Sequence, residues 1–547
     1  MGLALIFFII SLITWISFWV YLAKEEKSAA PIAVLLVVSI FLTVYWFWTW
    51  LPWFQPLFFT VFYNNLGLWL WWLIILGIAA VIGLIAGAAA RNSKAGLATG
   101  GILFGIGFVA FWIVYGVLAG SWTGSTVYNS LDYKNLQQLP DTTAIRQLPM
   151  EVAWRYGENR LQEPGVKHGD ADPIVVGEEV DWLLARVPKG FWNEWLRNAD
   201  GFTIVNGSGD VTTIRQKMEV GEGMLGSDNI IWKLRQQRYW SKVAEIYYVQ
   251  GNNNEVIAVA PYLDYSLSFP VMVPHWGGVF LVHSSGKIED LSPEQAKDHP
   301  LLKGVRIFPE ELARLYANAY AYKKGISNVM FRHEDQIEIP SVGLPGAGYR
   351  QNEMPFLLPT ELGQKWFVAA VPWGAEGIYR IFLIDAITGS IDLYVLPKDS
   401  ALIGPNRARG YITRAYPYFD WDKFYVLEPR PIMRAETLYW MFTVTPTNFA
   451  GVTDTVLVNS RSNEVLSFGS SNKDLLRFLR GENTGKLVGI GETSLLGPSS
   501  GPGQQTPVPQ VGQPGQGVSP ENIRQLINDL ERLVNELKEL ERTLPQK

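Results

Sequence analysis

Apolar residues gather into four long runs near the start of the chain, at about 3–22, 32–53, 66–90 and 98–119. Each holds about 20 residues or more, the length at which a helix crosses roughly 30 Å of hydrocarbon. The pattern therefore predicts four membrane-spanning helices within residues 1–122. Beyond residue 122 the apolar runs shorten and alternate with small polar turns, which predicts strands. Near the end, Ile523, Leu526, Leu530, Leu533, Leu537, Leu540 and Leu544 recur at alternating spacings of three and four. That is the a/d seam of a coiled coil over about three heptads. The predicted fold is a four-span α-helical anchor, an extracytoplasmic α+β region of antiparallel meanders, and a C-terminal coiled-coil helix.

Charge orients the anchor. Residues 1–122 carry only Lys24, Glu25, Glu26, Lys27, Arg91 and Lys94. Basic loops stay in the cytoplasm, so Lys24 and Lys27 place the first loop inside, and Arg91 and Lys94 the third. The N terminus and residues 123–547 are then outside, and the uncharged loop around Gln55, Pro56, Asn64 and Asn65 faces out. Trp46, Trp48, Trp50 and Trp53 end the second run, and Trp69, Trp71 and Trp72 begin the third, as an aromatic belt requires. Gly83 and Gly87, and Gly101 and Gly105, form two small-residue stripes. Such stripes let helix backbones approach, either between these two helices or between copies of the chain. No charged side chain sits within a run, so the runs read as an anchor, with a neutral pore as the alternative.

One hairpin pattern recurs outside. Gly201-Phe-Thr-Ile-Val-Asn-Gly-Ser-Gly-Asp-Val211 is echoed by residues 278–288, 379–391 and 455–465. Each has an apolar strand, a polar turn and a β-branched residue opening the next strand. Gly209, Gly286, Gly389 and Asn463 supply the positive φ the turns need. Asp385 and Asn459 sit where a side chain can accept from the amides ahead. Leu312, Leu315, Tyr316 and Ala319 mark a helix before the third copy. The expected organisation is a membrane domain at 1–122, four outer units at 123–215, 216–300, 301–400 and 401–480, a Gly/Pro/Gln-rich tether at 481–520, and the seam helix at 521–545.

The phrase Phe382-Leu-Ile-Asp-Ala-Ile-Thr-Gly-Ser-Ile391 resembles the closing hairpin of PepSY domains, where a hydrophobic–Asp–x–x–Thr-Gly turn follows a helix and strands. PepSY domains occur in extracytoplasmic and membrane-attached bacterial proteins, some associated with peptidase propeptides. The resemblance implies a binding or regulatory module and assigns no catalytic residue.

Composition narrows the chemistry. There is no cysteine, so disulfides, thiolate metal sites and cysteine nucleophiles are excluded. The net charge of -5 argues against a nucleic-acid binder. The five histidines show no i, i+4 pair or HExxH. His168, with Asp170 and Asp172, reads as a solvated loop rather than a metal site, and His333-Glu-Asp335 as a polar turn. Ser208, Ser284 and Ser285 lie in hairpin turns and not in a nucleophile elbow, and Gly343-Leu-Pro-Gly-Ala-Gly348 lacks the Lys of a phosphate loop. We expect no catalytic, cofactor or metal site. The expected function is an extracytoplasmic scaffold, binding or regulatory protein of the cell envelope, with membrane lipid and a second copy or a partner helix as its contacts. The alternatives are a hydrolase or peptidase regulator of PepSY type, and a neutral channel gated by the outer region.

Overall fold

The computed structural model describes residues 15–16, 29–91, 93–251, 255–342, 353–397, 400–417 and 419–488. The chain divides into two compact units, Met1–Glu492 and Thr493–Lys547. The second, with the seam from Ile523 to Leu544 and most of the expected tether, lies outside the described residues, as does the glycine-rich stretch 343–348.

After the helical pair Trp15–Ile16 come three helices: α1 (Ala29–Phe58), α2 (Leu66–Ala89) and α3 (Ser93–Ser130). The expectation of four spans is corrected here. Among the described residues, two helices, α2 and α3, are long and apolar enough to cross a membrane. The first expected run falls largely outside the described residues. The second is part of α1, whose last turns carry Pro52 and Pro56 and run on into a π-turn at Phe59–Tyr63. The expected outward-facing loop around Gln55 and Pro56 is thus helical and held by the fold. Gln55 is buried and donates to the carbonyls of Tyr239 (3.0 Å) and Ser241 (3.2 Å) in the folded region. The carbonyls of Leu51 and Pro52 accept from Tyr239 and Arg235. The expected boundary at residue 122 also moves, because α3 continues unbroken to Ser130.

The helix α3 leads into β1 (Tyr133–Leu136), and a first helix–sheet unit follows: α4 (Met150–Arg160), β2 (Val166–Val176), β3 (Glu179–Pro188), α5 (Phe191–Leu196), β4 (Ala199–Val205) and β5 (Val211–Met218). The second unit is α6 (Ile230–Gln237), β6 (Lys242–Val243), β7 (Tyr247–Gln250), β8 (Val256–Ser268), β9 (Val271–His283), β10 (Ile288–Leu291) and α7 (Pro293–Asp298). The third is α8 (Glu310–Ala319), β11 (Ile337–Glu338), β12 (Phe356–Thr360), β13 (Gly363–Pro372), β14 (Gly377–Ile378), β15 (Arg380–Asp385) and β16 (Ile391–Val395), with β17 (Leu402–Ile403) pairing with β14. The fourth is α9 (Pro405–Ala415), β18 (Phe424–Arg434), β19 (Thr437–Pro446), β20 (Asp454–Asn459), β21 (Val465–Ser467), α10 (Asn472–Leu479) and β22 (Lys486–Val488). Pairing within each sheet is antiparallel, apart from β1, which joins β16 in parallel.

Burial along the strands shows how the sheets stack. In β3 every side chain from Val180 to Pro188 is buried, so both faces are covered. Leu183, Ala185 and Val187 pack with Tyr248, Ala258 and Phe280 of the second sheet, and Ile230 and Leu234 of α6 lie in the same core. Trp182 and Leu184 point the other way, to Val152 and Ala153 of α4. The third and fourth sheets repeat this arrangement. Phe367 and Ala369 of β13 meet Trp440 and Phe442 of β19, with Ala408 and Ile412 of α9 between them. Trp366 and Val368 face Leu312 and Ala313 of α8. The outer faces of the even sheets are closed by Ala296 of α7 and by Leu475 and Phe478 of α10. The order helix, sheet, helix, sheet, helix thus occurs twice, as two sandwiches.

Candidate functional site

The two sandwiches are fastened by buried charges. Arg146 and Arg306 each sit four residues before the first turn of the helix that opens a sandwich. Their surroundings match: Ala144-Ile-Arg-Gln-Leu-Pro-Met-Glu-Val-Ala153 precedes and opens α4, and Gly304-Val-Arg-Ile-Phe-Pro-Glu-Glu-Leu-Ala313 does the same for α8. In both, Pro sets the backbone ahead of the helix, and the closing Ala is buried against the sheet. The indole of Trp182 donates to the carbonyl of Leu148 at 2.7 Å, and that of Trp366 to Phe308 at 3.0 Å. Each guanidinium lies over the indole so fixed, Arg146 at 4.6 Å and Arg306 at 5.7 Å. Aromatic faces suit a guanidinium because it is weakly hydrated and planar.

Each arginine then crosses to the other sandwich. Arg146 pairs with Glu428 of β18 at 3.3 Å. Arg306 pairs with Glu245, between β6 and β7, at 2.5 Å and with Asp172 of β2 at 3.0 Å. Glu428 and Glu245 occupy similar places, each at a break in the strand that opens an even sheet. The register of β18 shifts between Leu427 and Arg430, and Glu428 itself has φ +50°. A side chain in the left-handed region is strained, and here the strain is offset by three contacts. Glu428 accepts from Met150 N–H at 2.7 Å, lies 3.1 Å from Arg430 and pairs with Arg146. The bulge aims its carboxylate at the N-terminus of α4, where negative charge is favoured.

Acids outnumber bases in this belt, and that shapes their protonation. Around Arg306 stand Asp172, Glu245 and Glu310. Burial, with Glu245 adding repulsion against the pull of Arg306, pushes Asp172 up to about 8. Burial and Glu245 raise Glu310 to about 7. Glu151, in the first turn of α4, is pushed up to about 8 by burial and by Glu428. Burial raises Glu428 as well, against the pull of Arg146, and the guanidinium of Arg306 is held firmly protonated by its acids. A cleft of about 370 Å³ opens beside Arg306, bounded by Ile174, Phe202, Tyr247, Tyr248, Val305 and Gln364. It offers three aromatic rings, the amides of Gln250 and Gln364 and the Arg306 guanidinium within otherwise apolar walls.

The residues singled out in the sequence fall elsewhere. Gly209, Gly286 and Gly389 sit between β4 and β5, β9 and β10, and β15 and β16, at φ +88°, +80° and +75°; Asn463 has φ +64°. Asp385 accepts from the amides of Ile387 (3.0 Å) and Thr388 (2.8 Å), and Asn459 from those of Arg461 and Ser462. These groups close turns and are spread over four sheets, so they do not converge on a site. Gly83 lies against Gly96 and Gly100 of α3, where an added Cβ would meet the Gly96 carbonyl at 2.8 Å, and a Cβ on Gly96 would meet Gly87 Cα at 2.8 Å. Among the described residues, nothing lies within 4 Å of a Cβ added at Gly101 or Gly105. The close approach therefore uses one expected stripe, Gly83 and Gly87, and a second stripe one face round from the expected one.

His168 is not in a solvated loop. It is buried in β2, 3.1 Å from Thr203 Oγ1 and 3.3 Å from Glu158, while Asp172 turns to Arg306 past the bulge between His168 and Ala171. Ser208 donates within its own turn to Asn206 or Asp210, and His333 stacks on Trp373 with ring centroids 3.7 Å apart. The buried belt itself escaped the sequence reading. The signal that could have found it is the repeated Arg-x-x-Pro-x-Glu-(Val/Leu)-Ala phrase, 160 residues apart. No family model matches this chain, and comparison with curated proteins and with solved structures likewise gives no match.

Proposed function

We propose that this chain is a membrane-anchored extracytoplasmic scaffold or binding protein, held by the α2–α3 hairpin. The observation that carries this reading is the course of α3. Its lower part exposes Leu97, Ile102, Ile106, Val109 and Ile113, as a lipid-facing helix does. Its upper part, without a break, packs Gly124 against Tyr322 and carries Tyr128 onto Tyr133 and Tyr320. One rod thus belongs to both the span and the fold. Arg91 and Lys94 at the turn of the hairpin favour the cytoplasm, which puts the sandwiches outside. The two sandwiches, clasped by Arg146 and Arg306, would form a rigid platform, and the PepSY-like turn at 382–391 fits a binding or regulatory module. The leucine seam at 523–544 would join copies of the chain or a partner helix.

Because the chain has no cysteine, single cysteines report topology cleanly. Ser93→Cys should react with a membrane-impermeant maleimide only after cells are opened, and Leu362→Cys, which is 55% exposed, in intact cells. Labelling of Ser93→Cys from outside would reverse the reading.

A further inference from the structure

We infer that the tip of the β8–β9 hairpin is a membrane-inserted element whose exposed apolar side is covered by lipid. The inference rests on the anchoring reading and adds a contact that no spanning helix supplies. The tip runs Leu267-Ser268-Phe269-Pro270-Val271. Val271 is buried in one cluster with Leu68 of α2 and with Phe111 and Tyr115 of α3, and the partly buried Trp71, Trp72 and Val273 close it. Phe269 packs on Trp71 with ring centroids 5.0 Å apart. Pro270 lies so close to α2 that a Cβ on Gly67 would stand 1.8 Å from its carbonyl oxygen. Yet Phe269 is 49% exposed and Leu267 44% exposed.

Depth follows from helix geometry. At about 1.5 Å per residue, Trp71 stands roughly 30 Å along α2 from Arg91, and Tyr115 roughly 32 Å along α3 from Lys94. Those basic residues mark one edge of the hydrocarbon. The residues that hold the hairpin therefore lie at the opposite edge of a layer about 30 Å thick. Both arms of the hairpin, measured from their shared turn, give this level. The tip also suits that level chemically. Leu267 pairs with Met272 and Ser268 with Val271, so the ladder is satisfied almost to the turn, and Pro270 has no N–H to leave bare. Nearby, the 46% exposed Trp240 stacks on Tyr63 with centroids 5.0 Å apart, as an interfacial aromatic would.

The test places an environment-sensitive nitrobenzoxadiazole label on Leu267→Cys in the full chain, reconstituted in phosphatidylcholine vesicles. Leu362→Cys on the distant β12–β13 turn and Ile106→Cys on α3 serve as references. The expected result is loss of emission with a lipid bearing a nitroxide near the headgroup end of its acyl chain, and little loss with aqueous iodide. Iodide quenching equal to that at position 362 would overturn the inference. Protection from both quenchers would also overturn it, since protein would then cover the tip. The label at position 106 reads the anchor separately: quenching there by a deep nitroxide, with iodide quenching at 267, would leave the anchor standing and the hairpin inference refuted. No lipid quenching at 106 would refute both. Ser268→Cys supplies a second label site should the first variant fold poorly.

Discussion

The carboxylate of Glu428 lies 2.7 Å from the amide nitrogen of Met150, so the strand that opens the last sheet caps the helix that opens the first. The contact spans 278 residues of sequence. Since Arg146 and Arg430 share the same carboxylate, its removal strands two buried cations. Glu428→Ala should cost about 3–5 kcal/mol, the range for breaking one side of a buried pair. Urea denaturation in detergent checks this. A cost within 1 kcal/mol of zero, roughly the value of an exposed pair, would show that water already reaches the belt.

The excess of buried acids predicts a pH dependence of opposite sign to ordinary acid denaturation. Glu151 and Asp172 are raised to about 8 and Glu310 to about 7. Above their unfolded values the native chain therefore holds more protons than the unfolded one. The stabilisation is complete below the unfolded carboxylate range and is lost as pH rises through the folded values. His168, held below its usual value by burial, acts in the other direction at lower pH. The clean window is therefore about pH 6.5–8, where the melting temperature should fall as pH rises. Glu151→Gln should flatten that slope. A melting temperature that climbs across the window would contradict the assignment.

Two glycines with positive φ should respond differently to alanine. Gly389 has φ +75°, and a Cβ there would lie 2.3 Å from the Phe308 ring; Gly363 has φ +95° and open space. Gly363→Ala should cost about 1 kcal/mol, from backbone conformation alone. Gly389→Ala should cost more, because Phe308 precedes α8 and its carbonyl holds Trp366. Equal costs would mean that the Phe308 ring moves freely.

The helix pair makes a similar contrast. Gly83→Leu should separate α2 from α3 and lower thermal stability in detergent, whereas Gly101→Leu should not, because Gly83 meets Gly96 while Gly101 meets no other described residue. If Gly101→Leu instead alters the mass of the detergent-solubilised particle, that face joins neighbouring copies.

For the tail, the proposed seam predicts that Leu530→Asp together with Leu537→Asp, which place charge at two of its a/d positions, abolish association. Mass measurement of the intact and doubly substituted chains in detergent decides this. Two equal, oligomeric masses would assign assembly to some other surface.

Local signals carried furthest in the sequence. The Asp385–Gly389 phrase specifies a turn through bonds spanning only a few residues, and the apolar runs of α2 and α3 are continuous. What escaped was long-range. Arg146 and Arg306 look like any other arginines until Trp182 and Trp366 are brought beneath them. Glu428 belongs to a strand by pattern, and nothing local announces its left-handed backbone. His168 read as a loop because the bulge at Gly169 and Asp170 interrupts the period-two alternation of β2. The run at 32–53 misled through its end: Val37, Phe41 and Val44 stay exposed, whereas Leu51, Pro52 and Gln55 are met by the folded region, which a run of apolar residues does not announce. Gly101 and Gly105 misled through spacing, since two stripes a single residue apart in register point to different faces of one helix.

The unbroken length of α3 has a mechanical consequence. Its 38 residues make a strut of about 57 Å, and the 15 residues beyond Tyr115, roughly 22 Å of that length, run alongside the folded region. Where the strut leaves the lipid, the β8–β9 tip bears on it like a flange. The platform can neither sink along the strut nor slide up it without tearing Val271 from Leu68 and Tyr115. Tilt, one way a span meets a thinner bilayer, would then move strut and platform together. Tilt of a strut this long swings its far end sideways, so a thinning of the membrane by a few ångströms would be felt at the top of the molecule as lateral displacement.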